Sequence, residues 1–164
     1  MSERQRHLAE DREWIRRLFD QVVPYTRTLG IRTMEIGDGE AYLELPFRDD
    51  LVGNPMTGAL HGGVISSLLD TCGGVALWSQ VGLDSMVSTV DLRVDFLRPA
   101  VGGGLRAHGT VVRLGNRVGV VQLRAWHPED ADRPVAAGVG VYTIRGAREV
   151  NGGSIRERLR DLAL

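Results

Sequence analysis

From His61 to about Gln80 the sequence is apolar on most of its circumference when wound at helical spacing. Val64, Ile65, Leu68, Leu69, Cys72, Val75 and Ala76 make up that apolar majority. A helix with so little polar surface has to be enclosed on nearly every side, so its flanking elements must form the enclosure. Those elements read as strands. Ile31 to Ile36 and Glu40 to Pro46 flank Gly37-Asp38-Gly39, a hairpin signal. After the helix come Val87 to Leu97, Leu105 to Leu114, Arg117 to His127 and Pro134 to Arg145, with turns at Gly115-Asn116 and from Pro128 to Arg133. In the first of these, Val90, Leu92, Val94 and Phe96 alternate with Thr89, Asp91, Arg93 and Asp95.

Short connections between successive strands favour antiparallel pairing. Two strands, a long buried helix and four more strands predict an α+β fold in which a curved antiparallel sheet wraps the central helix. Ahead of it, Leu8, Ile15, Leu18, Phe19, Val22 and Val23 give an extra amphipathic helix from Glu3 to about Val23, stopping near Pro24. Phe47 to Leu60 reads as an irregular loop. The expected organisation is an N-terminal helical extension over 1–28, the main domain over 29–146, and a C-terminal tail or short helix over 147–164. One helix cannot cover a sheet with open edges, so self-association as a homodimer or homotetramer is expected.

The chain has 164 residues, a formal net charge of -1 and one cysteine, Cys72. Nothing in the near-neutral balance argues for a polyanionic partner, so neither a nucleic-acid nor a membrane-surface partner is expected. A single cysteine excludes an internal disulfide and fits a reducing cytoplasm. The charged start and the lack of an apolar run of ~18 residues predict neither a signal peptide nor a membrane span. His7, His61, His108 and His127 are scattered, so no metal is expected. The chain lacks a Gly-x-Ser-x-Gly elbow, a P-loop and a dinucleotide fingerprint, and no cofactor is expected.

One side of the central helix breaks the apolar pattern. Gly63, Ser66, Ser67, Asp70, Gly73, Gly74 and Leu77 fall together there. Glycine inside a helix costs ~1 kcal/mol relative to alanine, so such a stripe suggests close approach by backbone or by a ligand. Asp70 would then sit in a crevice, available to a reactant; the alternative is a cap or a structural ion pair. At the helix start, Gly62 and Gly63 follow His61, where unpaired N–H groups and the helix dipole favour negative charge, including a developing oxyanion. A plain turn and a hydrogen-bonded structural histidine are the alternatives. Trp78 reads as core, with a place bounding a pocket as the other possibility.

Asn54, His61-Gly62-Gly63 and Asp70 resemble the asparagine, His-Gly-Gly and aspartate of hotdog-fold acyl-CoA thioesterases of the phenylacetate-degradation group. The segment Ser88 to Ala100 is similar to the strand after the central helix in that family, and Arg113 to Arg117 to its later Gly-Lys/Arg hairpin. The resemblance spans about Leu29 to Ile144. It implies a hotdog fold that hydrolyses acyl-CoA at sites between two subunits. By the same resemblance, Gly62 N–H stabilises the oxyanion, with Gly63 beside it, and Asp70 is the general base or nucleophile. Asn54 holds the water or the carbonyl, and His61 orients the loop. Thr89, with Ser88 as its rival, supplies a hydroxyl to the water. Asn116, Arg117 and Arg98 contact the phosphates of coenzyme A. Two alternatives are a hotdog dehydratase or hydratase working through His61, and a non-catalytic acyl-CoA binding protein.

Overall fold

A computed structural model describes the backbone from Glu3 to Gly146, with Ile155 and Leu159 beyond it, and side chains from His7 onward. Helix α1 (Glu3–Arg17) runs into a wide π turn at Leu18–Val22, and α2 (Pro24–Leu29) follows. Pro24 therefore opens a second helix as well as ending the first. At a first helical position its missing N–H is not needed and its fixed φ is already helical. Gly30, at φ 75°, closes α2 in the left-handed conformation that glycine adopts without strain.

Strands β1 (Arg32–Ile36) and β2 (Glu40–Leu45) form the expected hairpin. The stretch expected to be an irregular loop holds a second, small hairpin of β3 (Val52–Asn54) and β4 (Ala59–Leu60). Strands of three and two residues are too short to show a periodicity in sequence. Helix α3 spans Gly62–Val81. After it come β5 (Ser85–Phe96), β6 (Leu105–Leu114), β7 (Val118–Trp126) and β8 (Ala136–Gly146).

Six strands form one sheet in the order β1-β2-β6-β7-β8-β5, and every neighbouring pair is antiparallel. The sheet lies against α3, whose Leu68, Leu69, Cys72, Val75 and Leu77 are fully buried. They pack with Ala41, Leu43, Leu105, Ala107, Val121 and Leu123 from the sheet. Each buried leucine contributes about 1.5–3 kcal/mol of apolar burial, which accounts for an enclosed helix of this composition. Cys72 donates its thiol to the Ala41 carbonyl at 3.3 Å, and burial pushes its pKa far up, so it is a packed, inert thiol. Ile155 and Leu159 are helical and pack on this core; the remainder of the expected C-terminal element lies outside the described residues.

The alternation read for β5 holds only in part. Its pairing with β8 shifts between Thr89 and Asp91, so Val90 sits in a bulge and is 61% exposed. The extra residue resets the two faces. Val87, Leu92 and Val94 pack towards the core, and Thr89 turns to α3 in place of Val90. Phe96, expected on the inner face, is 54% exposed.

Candidate active site

Helix α3 is fixed at its start from two sides. The backbone N–H of His61 donates to the Leu51 carbonyl at 2.9 Å, and that of Leu60 to the Ala100 carbonyl at 2.9 Å. His61 is the N-cap, and its Nδ1 accepts from the Gly63 N–H at 2.9 Å. One of the orphan donors of the helix end is thereby satisfied. The neighbouring Gly62 N–H has no acceptor among the described residues. Gly62 and Arg98 line one cleft, of about 420 Å³, together with Ile65 and Phe96.

Asn54 ends β3 as the first residue of a turn. Its Oδ1 accepts from the Met56 N–H at 3.0 Å, and its carbonyl accepts from Thr57 and Gly58. Its side chain is exposed.

Asp70 lies eight residues beyond Gly62 on the same helix, about 12 Å along the axis at ~1.5 Å per residue. Thr89 Oγ1 donates to Asp70 Oδ1 at 2.8 Å, a hydrogen bond made possible by the bulge at Val90. Of the two candidate hydroxyls, the one on the carboxylate is therefore that of Thr89. The Ser88 carbonyl accepts from Thr143 Oγ1 at 3.3 Å, while Ser88 lines the same cleft as Asp70. Among the described residues no cation pairs with Asp70, so the structural ion-pair alternative has no partner to support it.

The glycine stripe divides into two. Gly73 and Leu77 are buried, whereas Ser66, Ser67, Asp70 and Gly74 remain partly accessible. Gly73 makes room for Tyr142, which is 1% exposed and donates its hydroxyl to the Asp70 carbonyl at 3.1 Å. A β-carbon at Gly73 would overlap that hydroxyl. Burial, with the charge of Asp70 adding to it, pushes the Tyr142 pKa far up, so the phenol stays protonated and donating. Gly73→Ala is expected to destabilise the protein by about 1–3 kcal/mol through overpacking, although alanine favours helix. In the Tyr142→Phe background the penalty should shrink, because the overlapping oxygen is gone. Urea denaturation of the four proteins measures it, and equal penalties in both backgrounds would locate the strain elsewhere.

Asp70, Thr89 and Ser88 share a cleft of about 190 Å³ whose other walls include Phe19, Gly74, Trp78 and Val87. Trp78 is 8% exposed and also part of the core, so both readings of it apply. Phe19 had no place among the site residues expected from sequence. Its apolar spacing was visible, but not the π turn that directs it here.

Arg117 follows the turn between β6 and β7, and its carbonyl accepts from the Ile144 N–H at 2.8 Å. With Val118, Thr143 and Arg145 it lines an open cleft of about 610 Å³. Arg145 reads from sequence only as the polar end of a strand; the structure sets it in the same cleft as Arg117. Asn116 is exposed at the turn and lines none of these three clefts. The described residues hold no cluster that could bind a metal, and no described helix is long and apolar enough to cross a membrane.

A long helix wrapped by an antiparallel sheet is a hotdog architecture, here with an N–H lacking an acceptor among the described residues at the helix start and a carboxylate two turns on. The sequence profile of the thioesterase superfamily matches residues 57–133. A Halobacterium salinarum protein provisionally named an esterase is 38% identical over 126 residues, covering 74% of this chain and 83% of its own. The medium/long-chain acyl-CoA thioesterase YigI of Salmonella typhimurium is 33% identical over 140 residues, covering 77% of this chain and 89% of its own. Among solved structures, a thioesterase family protein from Silicibacter pomeroyi superposes with a TM-score of 0.75 at 28% identity, covering 82% of this chain and 98% of its own. The Escherichia coli PaaI protein shares the fold, with a TM-score of 0.75 at 24% identity over 85% of this chain and 96% of its own. The chain belongs to the thioesterase superfamily.

Proposed function

We propose that the protein hydrolyses acyl-CoA thioesters to the free acid and coenzyme A, at sites completed by two copies of the chain. The observation that carries the shared site is the separation of its two chemical groups. Gly62 N–H and Asp70 are about 12 Å apart along one rigid helix, too far to act on one carbonyl. Yet Gly62 N–H lacks an acceptor and Asp70 lacks a cation among the described residues. A second copy brings the helix start of one chain to the carboxylate of the other.

In that site Gly62 N–H, at the positive end of the helix dipole, polarises the thioester carbonyl. Thr89 occupies Asp70 Oδ1 and leaves Oδ2 for a water. The carboxylate takes the proton as the water oxygen bonds to the carbonyl carbon. The tetrahedral oxyanion then collapses, breaking the C–S bond, and the departing thiolate recovers a proton. Direct attack by Asp70, through an anhydride that water then opens, uses the same atoms. Asn54 holds the water or carbonyl, His61 keeps the helix start in place through Gly63, and Ser88 borders the reacting groups. Arg117, with Arg98 and Asn116, meets the phosphates of coenzyme A, for which guanidinium forks are suited. Arg145, beside Arg117, joins them.

Strand β5 supports the pairing. It is an edge of the sheet, spans Ser85–Phe96, and exposes Val90 and Phe96, with Leu97 just beyond. A long edge strand left unpaired invites pairing with another chain, and addition of a second β5 satisfies it. The assembly is a dimer, or a tetramer made of two such dimers, in the cytoplasm.

The test is thiol release from a panel of acyl-CoA thioesters, run alongside sedimentation. Hydrolysis by a dimer or larger assembly is expected. A fully active monomer at micromolar concentration would remove the shared site. Double-bond absorbance without thiol would indicate hydration chemistry, and binding without turnover a non-catalytic role.

A further inference from the structure

We infer that Gly74 and Phe19 set the width of the cleft beside Asp70, and with it the choice of acyl group; this rests on the hydrolase reading above, which brings the acyl group there. Gly73 is explained by Tyr142, but Gly74 is not explained by packing. A β-carbon built there meets nothing within 4 Å. The chain thus forgoes the helix propensity of alanine at a position where alanine would fit. What that glycine does is leave space open, four residues from Asp70 and on the same face of α3.

The space has the chemistry of an acyl site. Asp70 and Thr89 supply its polar part, and Phe19, Trp78 and Val87 its apolar walls. Phe19 meets Trp78 edge to face at 6.0 Å between centroids. This edge-to-face pairing braces the two rings against each other. Phe19 belongs to the Leu18–Val22 π turn, outside the residues matched by the superfamily profile. Such turns are often associated with functional sites. The N-terminal extension thereby contributes a wall of the cleft beside Asp70.

Within one chain, before a second copy completes the site, the cleft holds about 190 Å³, more than the ~150 Å³ that admits a benzene ring. An acetyl group leaves it mostly empty, while an aryl or medium-length alkyl group fills it. Each methylene buried against such walls contributes a factor of about four in binding, from ~0.8 kcal/mol.

The experiment measures kcat/KM for acetyl-, octanoyl-, phenylacetyl- and naphthoyl-CoA in the full-length wild type, Gly74→Ala and Phe19→Ala, with melting temperatures. Wild type is expected to favour octanoyl- or phenylacetyl-CoA over acetyl-CoA. In Gly74→Ala both ratios to acetyl-CoA should fall about tenfold or more, the scale of one methyl misplaced in an apolar pocket. Its melting temperature should rise, which separates selectivity from damage. In Phe19→Ala the naphthoyl-to-octanoyl ratio should rise about tenfold. Acyl preference unchanged in both variants, with wild-type hydrolysis intact, would overturn the inference and leave the hydrolase reading standing. No thiol release by wild type from any thioester would overturn both.

Discussion

Asp70→Asn should retain assembly and acyl-CoA binding while losing about 10² to 10⁴ in kcat, the usual contribution of a general base. The local geometry makes this a clean substitution. Thr89 Oγ1 donates to Oδ1, and an asparagine oxygen can accept the same hydrogen bond. Tyr142 donates to the backbone carbonyl of Asp70, which the substitution leaves untouched. No cation among the described residues depends on the carboxylate charge. Stability should therefore change little, by about 0.5 kcal/mol or less. What is lost is the second oxygen as proton acceptor or nucleophile. Thiol release, ligand binding and sedimentation on the same preparation check each part. A well-assembled mutant with wild-type kcat would end the catalytic assignment.

The carboxylate was legible in sequence because it stands alone among small and apolar residues on α3. Its helix, the strands around it and the His61 cap also leave local signals: apolar spacing, glycine turns, and a polar residue before two glycines. What sequence did not reveal were features decided by pairing. Simple alternation in β5 put Val90 on one face with Leu92 and Val94, and Thr89 on the other, but the register against β8 inserts a bulge at Val90 that breaks this grouping. Family resemblance had pointed to a hydroxyl here; the bulge is the physical means by which Thr89 reaches Asp70. Likewise, the stripe on α3 was read as one face, yet Tyr142 on β8 buries Gly73 and leaves Gly74 open. Only the opposing strand distinguishes two adjacent glycines. Phe19 is a third case. Its apolar spacing fits an ordinary helix, whereas the structure widens that turn and brings the ring to Trp78.

Gly62→Pro should abolish turnover, and the helix geometry makes it an unusually direct test of an N–H. Gly62 is the first residue of α3, the position where proline is best tolerated. His61 precedes it at φ -65° and ψ 133°, the extended conformation that a following proline requires. A β-carbon at Gly62 would meet the Phe96 ring at 3.3 Å, a contact that a shift of a few tenths of an ångström relieves. The mutant is thus expected to fold and assemble, lacking only the donor, with a loss of about 10² to 10³ in kcat. Mixing it with Asp70→Asn then tests where the two groups meet. If each site takes Gly62 from one chain and Asp70 from the other, a mixed dimer has one intact site and one doubly disabled site. Random exchange makes about half the dimers mixed, so about a quarter of wild-type activity should return from two inactive proteins. A same-chain site would return none, because each chain would still lack one of its groups. Recovery after co-refolding, with wild-type sedimentation, is the expected result; full activity in a folded Gly62→Pro assembly would move the oxyanion donor elsewhere.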